Sequence, residues 1–205
     1  MSANSADTVH SLAVPDADKM RREHWLALAR LFGASPDAEL LGLLAASTNP
    51  RDDTPLGKAW NDLAEAAAAA DPGRLDDEFH VLFIGLGRGE ILPYGSWYLT
   101  GYMMDKPLAR LRDDLAALGI ERADGVNECE DHIAALAETM ALLSDPEQGV
   151  YNAGQQQFFE THIASWVDGL FRDLLASNNA RFYRPVARLG KAFIEFERSW
   201  LGLPA

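Results

Sequence analysis

Between Asn127 and Ile133 the chain reads NECEDHI, a run dense in side chains that can hold a metal or a proton. Glu128, Asp131 and His132 stand at i, i+3 and i+4, so a continuous helix would present all three on one face. Oxygen and nitrogen donors spaced in this way suit a divalent cation, and a carboxylate beside an imidazole suits proton transfer. A small helical enzyme or metal-binding protein built on these three residues is therefore one reading. The metal version lacks parts. A helical two-metal centre takes a Glu-x-x-His pair from each of two helices plus two more glutamates, and the sequence contains no Glu-x-x-His. His10, His24, His80 and His162 have no companion at ligand spacing apart from Glu160 beside His162.

The other reading is electrostatic. Asp124-Gly125 is turn chemistry. Acidic residues in a first helical turn stabilise the positive end of the helix dipole by about 0.3 to 1 kcal/mol each. That accounts for Glu128, Glu130 and Asp131 as a class, but not for His132, because a cation is disfavoured at that end. Cys129 has no separate His/Asn pair to activate it and reads as a small packing residue.

A second stretch, GLGRGEILPYGSWY from residue 85 to 98, interrupts the helical pattern. Glycines 85, 87 and 89 could offer backbone N–H groups to a phosphate, yet the spacing fits neither G-x-G-x-x-G nor the P-loop, and no strand precedes it. Tyr94, Trp97, Tyr98 and Tyr102 make the segment unusually aromatic, as the lining of a peptide groove or as core.

The elements that must position these stretches are helical. Trp25, Leu28 and Phe32 form one stripe; Leu40, Leu41 and Leu44 follow Ser35-Pro36, an N-cap and first-turn proline. Thr54-Pro55 repeats that start signal before Leu56, Trp60 and Leu63, and the alanine run after it reads as a helix packed closely on a neighbour. Leu75, Phe79, Leu82, Phe83 and Leu86 make the next face, and Leu108, Leu111, Leu115 and Leu118 another that Gly119 can end. Ile133, Leu136, Met140 and Leu143 follow the acidic motif. Phe159, Ile163, Trp166, Leu170 and Leu174 come next, then Phe182 through Trp200. The expectation is an all-α domain of about eight to ten helices over residues 20–205, after a flexible tail over residues 1–19.

Composition narrows the partners. The chain has 205 residues, with 18 basic against 31 acidic side chains and a net charge of -13. Such a surface repels nucleic acid and anionic lipid and attracts basic peptides. One cysteine excludes an internal disulfide, and no apolar run is long enough to span a bilayer. Arg21-Arg22 ahead of an apolar stretch imitates an export signal, but Glu23 and Arg30 interrupt it and helical spacing follows. A cytoplasmic protein is expected.

Taken in order, Leu82-Phe83-x-Gly85, Pro93-Tyr94-Gly95-Ser96-x-Tyr98 and Glu128-x-x-Asp131-His132-Ile133 resemble the TorD/DmsD family, cytoplasmic chaperones of twin-arginine-exported molybdoenzymes. The likeness continues through Glu138, Met140, Gln155, Phe158, His162, Trp166 and Phe182-Tyr183, across residues 22 to 200. It implies an all-helical fold, monomeric or a domain-swapped homodimer, with no catalytic residue and no metal. It also implies binding of the signal peptide of a molybdoenzyme catalytic subunit, export being delayed until the molybdenum cofactor, which belongs to the client, is in place. GRGEILPYGSWYLTGYMM is similar to members that serve formate dehydrogenases. By position, the resemblance points to Tyr94, Ser96, Trp97, Tyr98, Glu128, Asp131 and His132 as the peptide site. Weak GTP binding is a family trait for which Gly85 to Gly89 is the place, though that loop has no lysine. Cys129 stands where the family has proline, which would leave the segment before Asp131 looser.

A receptor for a basic pair followed by an apolar stretch needs fixed carboxylates beside an apolar groove, within a negative field. Glu128, Glu130 and Asp131 would supply the first and Tyr94, Trp97 and Tyr98 the second.

Overall fold

A computed structural model describes residues 14–49, 52–123, 125, 128–145 and 152–202. Among the described residues the chain forms ten α-helices and no strand, the all-α class expected. They are α1 (Val14–Gly33), α2 (Ala38–Ala45), α3 (Pro55–Ala69), α4 (Pro72–Phe79), α5 (Gly95–Thr100), α6 (Lys106–Ala117), α7 (Ile133–Leu143), α8 (Asn152–Phe159), α9 (Val167–Ala176) and α10 (Tyr183–Trp200). A five-residue π turn follows α4 (His80–Ile84) and another follows α8 (Glu160–Ala164).

The apolar stripes become one core. Trp25, Leu28 and Phe32 of α1 are buried against Ile133, Leu136 and Met140 of α7, the pair of helices with the most extensive packing. Ala59, Leu63 and Ala67 pack α3 closely on α10, which presents Val186, Leu189 and Phe193. Small side chains on one helix let the large ones opposite fill the gap, as the alanine run suggested. Thr54 caps α3 by accepting from the Gly57 N–H at 3.0 Å, with Pro55 in the first turn. Gly119 takes φ of +70°, the left-handed conformation that ends α6.

Four expectations are corrected. The first helix begins at Val14, so residues 14–19 belong to it, and only residues 1–13 of the expected tail lie outside the described residues. Its start is reinforced by Asp18, whose carboxylate takes a bond from Arg21 at 2.8 Å. The cap of α2 is Asp37 and not Ser35, because the Asp37 carboxylate reaches the Leu40 N–H at 2.8 Å. Leu86 is fully exposed, since the π turn ends the helical face at Ile84. The stripe from Phe159 to Leu174 is broken at Trp166, whose ring N–H donates to the His162 carbonyl at 2.6 Å and leaves the helical register.

Arg21, the first of the two arginines that imitate an export signal, is wholly buried. Its guanidinium donates to both oxygens of the equally buried Glu197, at 2.7 and 3.0 Å, and to Gln155 at 2.9 Å. A two-bond ion pair thus ties α1 to α10, with Trp25 donating to the same carboxylate at 3.2 Å.

Candidate functional site

The two stretches singled out in the sequence meet. The segment ahead of α5 and the segment ahead of α7 run antiparallel for one bridge, Tyr94 opposite His132. Gly95 N–H donates to the Asp131 carbonyl and Ile133 N–H to the Pro93 carbonyl, both at 2.9 Å. Each helix therefore starts where the other segment supplies an acceptor. The N–H groups at a helix start are otherwise unpaired.

Side chains complete the junction. One Asp131 oxygen accepts from the Ser96 N–H at 2.8 Å, so a carboxylate of one segment caps the helix that follows the other. The second oxygen, Oδ1, is buried without a hydrogen-bond partner. His132 is the N-cap of its own helix: Nδ1 accepts from the Ala134 N–H at 3.1 Å. That bond requires the neutral Nε2–H tautomer. Burial pushes the imidazole below its usual pKa, against the opposing pull of Glu128 and Asp131. The histidine that dipole arguments left unexplained is thus an uncharged cap.

The expected shared helical face does not form, because α7 begins at Ile133 and residues 128–132 precede it. No acidic residue lies in its first turn. Asp124 and Asn127 lie outside the described residues, while Gly125 takes φ of +82°, as a turn glycine does.

Asp131, His132 and Ser96 are buried, with 3%, 6% and 0% exposure. The accessible residues of the expected site are Glu128, which is exposed, and Tyr94, Trp97 and Tyr98, which are partly buried. Tyr94 donates to Glu128 at 2.8 Å and sets its ring edge-on to His132, with centroids 4.9 Å apart. Burial, then the bond to Glu128, raises the Tyr94 hydroxyl far above the ordinary phenol range. Glu130 is occupied by this chain's own arginines, with Arg112 at 2.9 Å and Arg122 at 4.0 Å. Cys129 is buried, and burial raises its thiol pKa, which suits a packing role. Its N–H donates to the Glu128 carboxylate at 3.0 Å, a bond that a proline at this position would lack.

Ser96, Trp97 and Tyr98 belong to the short helix α5 rather than to an irregular loop. The loop before it is closed by its glycines. A Cβ on Gly85, where φ is +64°, would run into the Arg88 carbonyl, and one on Gly89 into the Phe83 backbone. The N–H groups of Gly85, Glu90 and Ile91 donate to the carbonyls of His80, Val81 and Leu82. Of the three glycine N–H groups considered for a phosphate, that of Gly85 is therefore spent on the π turn.

Sequence reasoning did not assign a site role to Trp166 or Asp173. Tyr98 stacks on Trp166 with centroids 5.5 Å apart and donates to Asp173 at 2.9 Å. The available signal was Gly169, a glycine inside an apolar helical pattern. A Cβ there would stand 2.9 Å from the Tyr98 ring. His162 is also fixed from afar, its Nε2 lying 2.7 Å from Asp114. Among the described residues no group of three or more His, Cys, Asp or Glu is placed to hold a metal.

The chain was compared with known proteins. A family model described as the nitrate reductase delta subunit matches residues 49–172. The chaperone protein TorD of Vibrio cholerae is 27% identical over 183 residues, covering 85% of this chain and 82% of that protein. TorD of Aliivibrio salmonicida is 27% identical over 137 residues, covering 62% and 64%. A crystal structure of a putative redox enzyme maturation protein from Archaeoglobus fulgidus shares the fold, with a TM-score of 0.58 at 21% identity, over 85% of this chain and 92% of that one. The family model takes in both halves of the junction, Tyr94–Ser96 and Glu128–His132, and the TorD relatives extend the likeness beyond it: the chain belongs to the nitrate reductase delta subunit family, the TorD-like group.

Proposed function

We propose that this protein is a cytoplasmic maturation chaperone. It binds the twin-arginine signal peptide of a molybdoenzyme catalytic subunit, a formate dehydrogenase by the likeness of its aromatic segment, and delays export until the molybdenum cofactor is inserted. The observation that carries this reading is the match to TorD chaperones along 85% of the chain. A net charge of -13 supports it, since a negative field speeds encounter with a basic peptide. The junction supports it in outline: Glu128 with its partner Tyr94, and Trp97 and Tyr98 of α5, are accessible aromatic and acidic groups, here called the rim, while buried Ser96, Asp131 and His132 fix the backbone of the two segments. In this proposal the rim touches the peptide and the buried three position the rim. The role is binding, with no chemical step assigned. Among the described residues no helix is long and apolar enough to cross a membrane.

The test is calorimetric titration of the purified protein with twin-arginine signal peptides of its own organism, each against its Lys-Lys counterpart, at two salt concentrations. Micromolar binding that weakens on Lys-Lys substitution and with salt is the expected result. No binding to any such peptide overturns the proposal.

A further inference from the structure

Beside the rim lies a cavity of about 260 Å³, lined by Glu90 and Ile91 of the loop, Trp97 and Tyr98 of α5, and Asp173 and Ser177 at the end of α9. Two of these residues are carboxylates from elements far apart in sequence. One Glu90 oxygen accepts from the Asn179 amide at 2.6 Å, and one Asp173 oxygen accepts from the Tyr98 hydroxyl at 2.9 Å. Arg172, with a side chain 75% exposed, stands 3.6 Å from the other Asp173 oxygen. Trp97 supplies an aromatic wall, and that ring already carries a cation: the Arg88 guanidinium carbon lies 4.7 Å from its centroid. Arg88 is itself exposed, on the loop between Gly87 and Gly89.

We propose that this cavity receives an arginine side chain of the bound peptide, with Glu90 and Asp173 accepting from its guanidinium and Trp97 stacking on it, and that Arg88 holds the Trp97 ring until the peptide displaces it. The inference rests on the peptide-binding reading above and names where the basic pair is read. Three observations favour this place over the junction. Asp131 is buried and already caps α5, and Glu130 is paired with Arg112 and Arg122. Glu90 is exposed and the Asp173 side chain is 45% exposed. A planar guanidinium can stack on the indole and bond sideways to two carboxylates, whereas an ammonium is a compact, strongly hydrated point charge. The chain's own Arg88 shows that the Trp97 ring accepts a guanidinium.

The experiment uses a synthetic peptide bearing Arg-Arg followed by an apolar stretch, with Lys-Lys and Ala-Ala counterparts, titrated into wild type, Glu90→Gln, Asp173→Asn and Arg88→Ala. Thermal melts accompany each variant, and the assigned Trp97 indole resonance is followed in wild type. Glu90→Gln and Asp173→Asn are expected to weaken the Arg-Arg peptide about five- to tenfold each, while leaving the weak Lys-Lys binding nearly unchanged. Arg88→Ala is expected to tighten it about threefold, because a competing cation has been removed. The Trp97 resonance should move with the Arg-Arg peptide and scarcely with Ala-Ala. Wild-type affinity in both carboxamide variants, with normal melts, would overturn this subsite and leave the chaperone reading intact. Weaker binding by Arg88→Ala would overturn the displacement step. No wild-type binding to any of the peptides would overturn both proposals.

Discussion

The junction of the two segments and the cavity beside it combine carboxylates with aromatic rings, in opposite settings. At the junction, Asp131 and His132 are interior and each accepts from a backbone N–H, that of Ser96 and that of Ala134, while Asp131 Oδ1 is enclosed without a partner. At the cavity, Glu90 and Asp173 are bound to side chains, Asn179 and Tyr98, and remain accessible. The difference teaches how to sort a motif-rich sequence. A carboxylate that satisfies a buried backbone is held there by the cost of leaving that N–H unpaired, and a ligand cannot take it without that cost. A carboxylate bonded to movable side chains can exchange partners. The first kind shapes a site, and the second can recognise something.

The largest expected effect breaks the junction. Asp131→Ala removes the cap of α5 and should cost about 2 to 3 kcal/mol of stability in denaturant unfolding. Peptide affinity measured on the folded fraction should fall only indirectly. If Asp131→Ala abolished binding without loss of stability, Asp131 would be a recognition residue and not a structural cap.

His132→Ala should cost about 1 to 2 kcal/mol, and His132→Asn less, because asparagine is also a good N-cap. The pair also sharpens the pH argument. Burial lowers the folded-state pKa of His132 below that of a free imidazole, so the unfolded chain binds the proton more readily. The stability that this neutral imidazole contributes is full above about pH 6.5 and is lost as pH falls through the lower folded value. His24 and His162, also lowered by burial, act in the same direction. Denaturation of His132→Asn from pH 8 to 5 should therefore show a shallower decline than wild type. An identical slope would mean that His132 does not titrate with folding.

Tyr98→Phe removes the hydroxyl bond to Asp173 and keeps the stack on Trp166. A stability loss of about 0.5 to 1.5 kcal/mol is expected. Arg-Arg peptide affinity should change less than in Asp173→Asn, which a parallel titration would check. The smallest effect is expected at Arg112→Ala. Its pair with Glu130 is half-exposed on the arginine side, so the stability change should be below about 0.5 kcal/mol in the same unfolding assay.

Much of the fold was legible because helix burial is written in local spacing. The stripes of α1, α7 and α10, the cap at Thr54 and the stop at Gly119 depend on residues within a few positions of one another. Local signals failed where the deciding partner was more distant or chemically unforeseen. Trp166 left its helical register through a bond to the His162 carbonyl, which no apolar period reveals. Arg21 read only as half of a basic pair that imitates an export signal, and its true partner, Glu197, comes from α10, 176 residues away. Of the seven residues expected at the peptide site, the structure buries Ser96, Asp131 and His132 and leaves Tyr94, Trp97, Tyr98 and Glu128 at least partly accessible.

The sequence by itself determined the helical class, most helix positions, the acidic field and the family-like order of motifs, since each follows from composition or from neighbours along the chain. Only the tertiary structure decided which acidic groups stay available. Ser96 meets Asp131 across 35 positions and Tyr98 meets Asp173 across 75, and exposure is set by such neighbours in space. Residue type decides whether a carboxylate can pair with a cation; the packing around it decides whether it is already engaged.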